Sequence, residues 1–129
     1  MSHILTVDDD AVSLALLTHM LKGGGHSVVK AHGLLEAREV LSVEGVDAFD
    51  FVFSDYSMRH GNGLELLRDM RRHGVADRPA FVLLTGFAMG GEICDPRLEQ
   101  VAAFLTKPVS CAELLRLVGE NDVDIPVAA

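Results

Sequence analysis

The stretch at 49–58, Phe-Asp-Phe-Val-Phe-Ser-Asp-Tyr-Ser-Met, constrains the fold more than any other part of the chain. Its apolar side chains run almost without a break up to Ser54, and the carboxylate of Asp55 follows at once. A continuous apolar run bounded by turn residues predicts a strand buried on both faces, as the central strands of parallel sheets are. Open α/β sheets bind ligands at the carboxyl ends of their strands, so Asp55 is a candidate reacting group.

The rest of the chain alternates short apolar runs with amphipathic segments, which is typical of a parallel sheet with helices on both faces. We predict strands at 4–7, 27–31, 49–54, 80–84 and 103–106. We predict helices at 11–22, 34–42, 63–74, 96–102 and 111–118. Glycines at 23–25 should end the first helix in a left-handed conformation, and Ser110 should cap the last one. The chain is therefore predicted to be one α/β domain over 1–119, followed by a tail at 120–129.

The charge balance excludes some classes of partner. The 129 residues carry 11 Lys and Arg against 19 Asp and Glu, a net charge of −8. Because phosphate backbones require clustered cations, we expect no direct binding to nucleic acid. No apolar stretch approaches the length of a membrane span, so we expect a cytoplasmic protein. Cys94 and Cys111 have no metal-ligand or redox spacing, and we expect reduced thiols.

Polar side chains follow four of the predicted strands. Asp8 and Asp9 follow the first and Asp55 the third, while Thr85 and Lys107 follow the fourth and fifth. Parallel strands point the same way, so these groups should share one edge of the sheet. Crowded carboxylates repel unless a cation neutralises them, and oxygen ligands without Cys or His suit Mg²⁺. A metal, a carboxylate nucleophile, a hydroxyl and an ammonium together predict phosphoryl transfer, with Asp55 attacking phosphorus.

These residues resemble the receiver domain of two-component response regulators from Ile4 to about Val118. Thr85 lies 30 residues after Asp55, and Lys107 lies 22 after Thr85, as in that family. The matching motifs are Val7-Asp8-Asp9, Asp55 with Met58, Gly63, Leu84-Thr85-Gly86 and Phe104-Leu105-Thr106-Lys107-Pro108. The resemblance implies a doubly wound (βα)5 flavodoxin-like domain whose parallel five-stranded sheet has the order 2-1-3-4-5.

The resemblance also implies a chemistry. Asp55 would be phosphorylated by a phosphohistidine donor, either a sensor histidine kinase or a histidine phosphotransfer protein. Mg²⁺, or Mn²⁺ in its place, would be held by Asp9, Asp55 and the backbone carbonyl of Ser57, with Asp8 orienting a metal-bound water. The activity would be limited to self-catalysed phosphotransfer and autodephosphorylation, so the protein would not be an enzyme in the usual sense.

The family's switch residues also have counterparts. Thr85 and Phe104 match the pair in which the hydroxyl moves to the phosphoryl group and the aromatic ring turns inward. Ser57 and Phe87 match the variable positions that set the rate of phosphate loss. No output domain follows in this sequence, so we expect control of a downstream protein that the sequence does not identify, with homodimerisation as an open alternative.

Two segments depart from the family pattern. Arg59 stands where receivers usually have proline, so we expect a looser loop after the third strand. Gly90, Gly91 and Pro96 imply a loop at 87–94 and a short fourth helix, on the face that the family commonly uses for dimerisation and output.

Two other functions stay open. The run that begins at Asp8 also fits the Asp-x-Asp-x-Thr/Val signature of haloacid-dehalogenase-type phosphatases, with Asp8 as nucleophile and Asp10 as acid/base. That hypothesis leaves Asp55 unexplained and finds no acidic pair after Lys107. The other is a phosphorylation-independent binding module. Two simpler roles also stay open: an acidic residue among 8–10 could merely cap the first helix, and Phe104 could be a core residue.

Overall fold

The protein is described by a computed structural model that covers residues 2–59, 61–73, 79–86 and 101–123, without the side chains of 73 and 120–123. The strands are β1 (His3–Val7), β2 (Ser27–Ala31), β3 (Phe51–Asp55), β4 (Ser57–Met58), β5 (Gly61–Asn62), β6 (Ala80–Thr85) and β7 (Ala103–Thr106). The helices are α1 (Ala11–Gly23), α2 (Leu34–Glu44), α3 (Gly63–His73) and α4 (Cys111–Val123), with a 3-10 turn at Val46–Ala48.

Within the described ranges, five parallel strands form one sheet in the order β2-β1-β3-β6-β7. Because β6 and β7 are the fourth and fifth strands of this sheet along the chain, the predicted order 2-1-3-4-5 is confirmed. β3 lies in the middle, with Phe51 opposite Ile4 on one side and Ala80 on the other. All of its residues are buried, as its unbroken apolar sequence predicts.

Two hydrophobic layers cover the two faces of the sheet. Successive side chains of a strand point to opposite faces, so Val52 packs in one layer while Phe51 and Phe53 pack in the other. The Val52 layer contains buried side chains from α2 and α3, and the Phe53 layer contains buried side chains from α1 and α4. Each fully buried aliphatic or aromatic side chain stabilises the fold by about 1.5–3 kcal/mol. The prediction of helices on both faces is confirmed.

Local hydrogen bonds explain where the helices begin and end. Asp10 caps α1 by accepting a hydrogen bond from the Val12 N–H. At the other end Gly25 has φ 91°, while Gly24 has φ −85°, so the left-handed glycine is the third of the three. The predicted cap of α4 is confirmed because Ser110 Oγ accepts from the Glu113 N–H at 3.1 Å.

The structure differs from the sequence predictions at several boundaries. α2 and α4 extend past their predicted ends, to Glu44 and Val123, so α4 includes the first residues of the predicted tail. The antiparallel pair β4–β5 was not predicted. Two predictions lie outside the described residues: most of the helix at 96–102, and the helix end at Gly74. At the described end of the first of these segments, the Ala102 N–H donates to the Phe81 carbonyl, next to the start of β7. None of the helices in the described part of the chain is long and apolar enough to cross a membrane.

Gly63, the first residue of α3, packs against the end of β3. A Cβ at this position would lie 2.7 Å from the Asp55 carbonyl oxygen and 2.8 Å from Ser54 Oγ. We expect Gly63→Ala to lower the free energy of unfolding by about 1–3 kcal/mol, the usual cost of overpacking, in urea denaturation. The control is Gly119→Ala in α4, where an added methyl meets nothing within 4 Å and should stabilise by about 0.5–1 kcal/mol. Equal stability changes in the two variants would contradict the close packing at Gly63.

Candidate functional site

Three carboxylates meet at the carboxyl edge of the sheet. Asp8 and Asp9 follow β1, and Asp55 is the last residue of β3, the strand that pairs with β1. One carboxylate oxygen from each lies within 4.8 Å of the others, the one such group of potential metal ligands in the described part of the chain. Asp8 is 1% exposed and Asp55 is 9% exposed, so most of this negative charge lies out of water.

Lys107 joins two of these carboxylates. It follows β7 directly, and its backbone N–H donates to the Thr85 carbonyl at 2.8 Å, which holds it beside the end of β6. Its Nζ donates to Asp8 Oδ2 at 2.8 Å and lies 3.3 Å from Asp55 Oδ1. The Lys107–Pro108 peptide bond is cis. Burial lowers the pKa of Lys107, but the hydrogen bond to Asp8 and the charge of Asp55 outweigh it and raise the pKa above its ordinary value.

The electrostatics of Asp55 differ from those of a surface carboxylate. Burial raises its pKa to about 6, and the negative charge of Asp8 acts in the same direction, while Lys107 opposes the rise. The ionised form is therefore destabilised in the folded protein, since its burial and the neighbouring carboxylate outweigh one ammonium. A further cation would relieve this repulsion. The donor set, oxygen atoms alone at short mutual distances, fits a hard divalent ion such as Mg²⁺.

The structure places the remaining predicted residues around this cluster. Thr85 ends β6 and is 1% exposed, so its side chain is buried at the same edge as Asp55. Phe104 lies opposite Leu83 on the edge strand β7 and is 41% exposed, so the interpretation of Phe104 as a core residue is wrong. Ser57 opens β4 and is exposed. Phe87 lies outside the described residues.

Asp10 does not join the cluster. Its side chain is exposed and accepts hydrogen bonds from the Val12 N–H at 3.2 Å and from Ser13 Oγ at 2.9 Å. These bonds give Asp10 the role of a helix cap. The phosphatase alternative requires the same residue as a general acid facing Asp8, and Asp10 instead engages α1.

Arg59 contacts this site, which was not predicted from the sequence. Its backbone N–H donates to Asp9 Oδ2 at 2.8 Å, and its Nε lies 3.8 Å from the same oxygen. The β4–β5 pair brackets Arg59, with Met58 opposite Gly61. The loop after β3 is thus tied to the site, contrary to the expectation of a looser loop. The signal in the sequence was Arg59 in place of the family's proline, which has no N–H to donate.

Known proteins share this sequence pattern. A family model described as the response regulator receiver domain matches residues 4–119. The Escherichia coli K12 protein named Transcriptional regulatory protein GlrR is 32% identical over 119 residues, which cover 92% of this chain but 26% of GlrR. The chain thus spans about a quarter of that relative. A Leptolyngbya boryana protein, named Uncharacterized 14.6 kDa protein in sodA1 3'region, is 31% identical over 123 residues, covering 95% of this chain and 92% of that protein.

Solved structures share the fold. A response regulator receiver domain protein from Clostridium thermocellum superposes with a TM-score of 0.81 at 23% identity, and the match covers 100% of both chains. At this identity the likeness establishes the fold alone, whereas the family model spans nearly the whole sequence and includes each of the clustered charged residues. The chain therefore belongs to the receiver domains of two-component response regulators.

Proposed function

We propose that the chain accepts a phosphoryl group on Asp55 and so acts as the switch of a two-component or phosphorelay pathway. The observation that carries this proposal is the Lys107 ammonium between Asp8 and Asp55 in a mostly buried acidic cluster. An Asp55 oxygen forms the new bond to phosphorus while the P–N bond of a phosphohistidine breaks, and the leaving imidazole takes up a proton. Receiver domains are signalling domains, so the chemistry proposed here is limited to phosphotransfer and autodephosphorylation.

Asp9, Asp55 and the Ser57 carbonyl would hold Mg²⁺, or Mn²⁺ in its place, with Asp8 orienting a metal-bound water. When bound, the ion neutralises charge on the transferred phosphoryl oxygens. Lys107 would supply a second positive charge next to Asp55, and its contact with Asp8 holds the ammonium in place. Ser57 and Phe87 would tune the rate at which water removes the phosphoryl group.

The proposed switch is a shift between two conformations. Acyl phosphate on Asp55 replaces one negative charge with about two and adds acceptor oxygens. Thr85 would donate to one of these oxygens, and Phe104, whose ring is partly exposed in this structure, would turn inward. Moving the population from 1:99 to 99:1 needs about 5.5 kcal/mol, which a few charge-assisted hydrogen bonds of about 1.5–3 kcal/mol each can supply.

The donor would be a sensor histidine kinase or a histidine phosphotransfer protein. A cavity of about 280 Å³ beside Asp8 and Lys107 is lined by apolar side chains of α1, including the 55% exposed Leu16, and would admit an apolar helix face of the donor. The output partner would be a protein in the cytoplasm, with a second copy of the chain as an alternative. The net charge of −8 disfavours a direct contact with nucleic acid. We assign the receiver function to 1–119, with the predicted tail at 120–129 beginning inside α4, which extends to Val123.

The test is labelling with acetyl phosphate in the presence of Mg²⁺, followed by mass spectrometry of the intact protein and of its peptides. We expect one phosphoryl group, located on Asp55, and none on the folded Asp55→Asn variant. Modification of Asp8 instead would favour the phosphatase hypothesis. A folded protein that takes up no phosphate from small-molecule or phosphohistidine donors would favour the phosphorylation-independent binding module.

A further inference from the structure

Each carboxylate of the acidic cluster has a resident cation. Lys107 contacts Asp8 and Asp55, while Arg59 contacts Asp9. Three negative charges thus face two positive ones, which leaves less attraction for an incoming divalent ion than three unpaired carboxylates would exert.

The contact between Arg59 and Asp9 joins residues 50 positions apart, so the fold creates it. The backbone N–H of Arg59 donates to Asp9 Oδ2 at 2.8 Å, and the guanidinium Nε lies 3.8 Å from the same oxygen. The register of Ser57 with Asn62 and of Met58 with Gly61 holds the backbone from which the arginine projects.

The two cations differ in solvent exposure, and therefore in the free energy needed to leave their carboxylates. The Lys107 side chain is 26% exposed, whereas that of Arg59 is 78% exposed. An exposed guanidinium loses little when it moves into water, because exposed ion pairs stabilise by only about 0.2–1 kcal/mol. Arg59 can therefore vacate Asp9 at small cost, while Lys107 stays in place.

We propose that Arg59 is a counter-cation of Asp9 that competes with divalent metal and so raises the Mg²⁺ concentration at which the site fills. The inference rests on the proposed function, since it concerns the same acidic site. Arg59 is a positioning residue, and its influence on phosphorylation would pass through Asp9.

The test is calorimetric titration of Mg²⁺ into the protein at pH 8 and low ionic strength. We expect Arg59→Ala to bind Mg²⁺ about two- to five-fold more tightly than wild type, the range that an exposed ion pair allows. Arg59→Lys keeps the charge and should stay close to wild type. Because the guanidinium is exposed, raising the salt to about 0.5 M should remove most of the difference.

The control for overall charge is Arg72→Ala. Arg72 is exposed near the far end of α3, about 13 Å along the helix axis from Gly63. Arg72→Ala removes the same charge without touching Asp9, so its affinity for Mg²⁺ should remain that of wild type. An equal gain in Arg72→Ala and Arg59→Ala would overturn the proposal, because the effect would then come from net charge alone.

The remaining outcomes distinguish competition by Arg59 from the existence of the metal site itself. If wild type and Arg59→Ala bind Mg²⁺ with the same affinity while Asp9→Asn binds more weakly, the competition is refuted and the metal site stands. If neither wild type nor Arg59→Ala binds Mg²⁺, both the competition and the metal site are refuted.

Discussion

Lys107→Met should lower the free energy of unfolding by about 2–4 kcal/mol at pH 8 in the presence of a chelator. Breaking a buried ion pair from one side costs about 3–5 kcal/mol, and the 26% exposure of Lys107 reduces that figure. The loss arises because the carboxyl groups of Asp8, 1% exposed, and Asp55 would be left close together without the ammonium between them. Urea denaturation followed by far-UV circular dichroism measures it.

The matched control is Lys22→Met, which removes an exposed lysine in the last turn of α1. Surface substitutions of this kind change stability by about 0.5 kcal/mol or less. Lys107→Arg keeps a cation at the site and should lose less than Lys107→Met. If Lys22→Met and Lys107→Met were equally stable, the ammonium would not be holding the carboxylates together.

Asp55→Asn should instead raise the free energy of unfolding. The pKa of Asp55 is about 6 in the folded protein against an ordinary 3.8, so the folded state holds this proton more tightly than the unfolded state. The stability that protonated Asp55 contributes is fully present below about pH 4 and is lost as the pH rises through 6. A neutral asparagine should avoid that loss and raise the free energy of unfolding at pH 8 by up to about 3 kcal/mol without Mg²⁺.

The pH dependence separates this effect from a general change in packing. The advantage of Asp55→Asn should shrink as the pH falls through 6 and close near pH 4, which a series of urea denaturation curves would reveal. Glu39→Gln, at an exposed position on α2, removes the same charge and is the control for net charge. A constant difference between Asp55→Asn and wild type from pH 8 to pH 4 would contradict the raised pKa.

The sheet could be predicted because its strands have clear local signals. The predicted bounds of β2 and β7 match the structure, and polar or turn residues directly follow each strand. Asp55 was predicted as a site residue from its place after a buried strand. The meeting of Asp8 with Asp55 followed from parallel strand direction, which brings successive carboxyl ends to one edge.

Other features depend on contacts that no local pattern records. The strands β4 and β5 have two residues each, too few for a period in hydrophobicity. α4 passes through Gly119, whose cost of about 1 kcal/mol is offset because Leu114 and Val118 are buried. The contact of Arg59 with Asp9 arises because the β4–β5 pair packs near the end of β1, 50 residues earlier in the chain. Secondary-structure propensities carry no information about such a long-range contact.

The bond between Lys107 and Asp8 spans 99 positions of the chain. On the ribosome, the three aspartates are synthesised at least 52 residues before the lysine that joins two of them. A nascent chain therefore contains Asp55 long before it contains the ammonium of Lys107, and the charged cluster is complete only when β7 has docked on β6. The proposed phosphoryl transfer to Asp55 would therefore have to wait until β7 is in place.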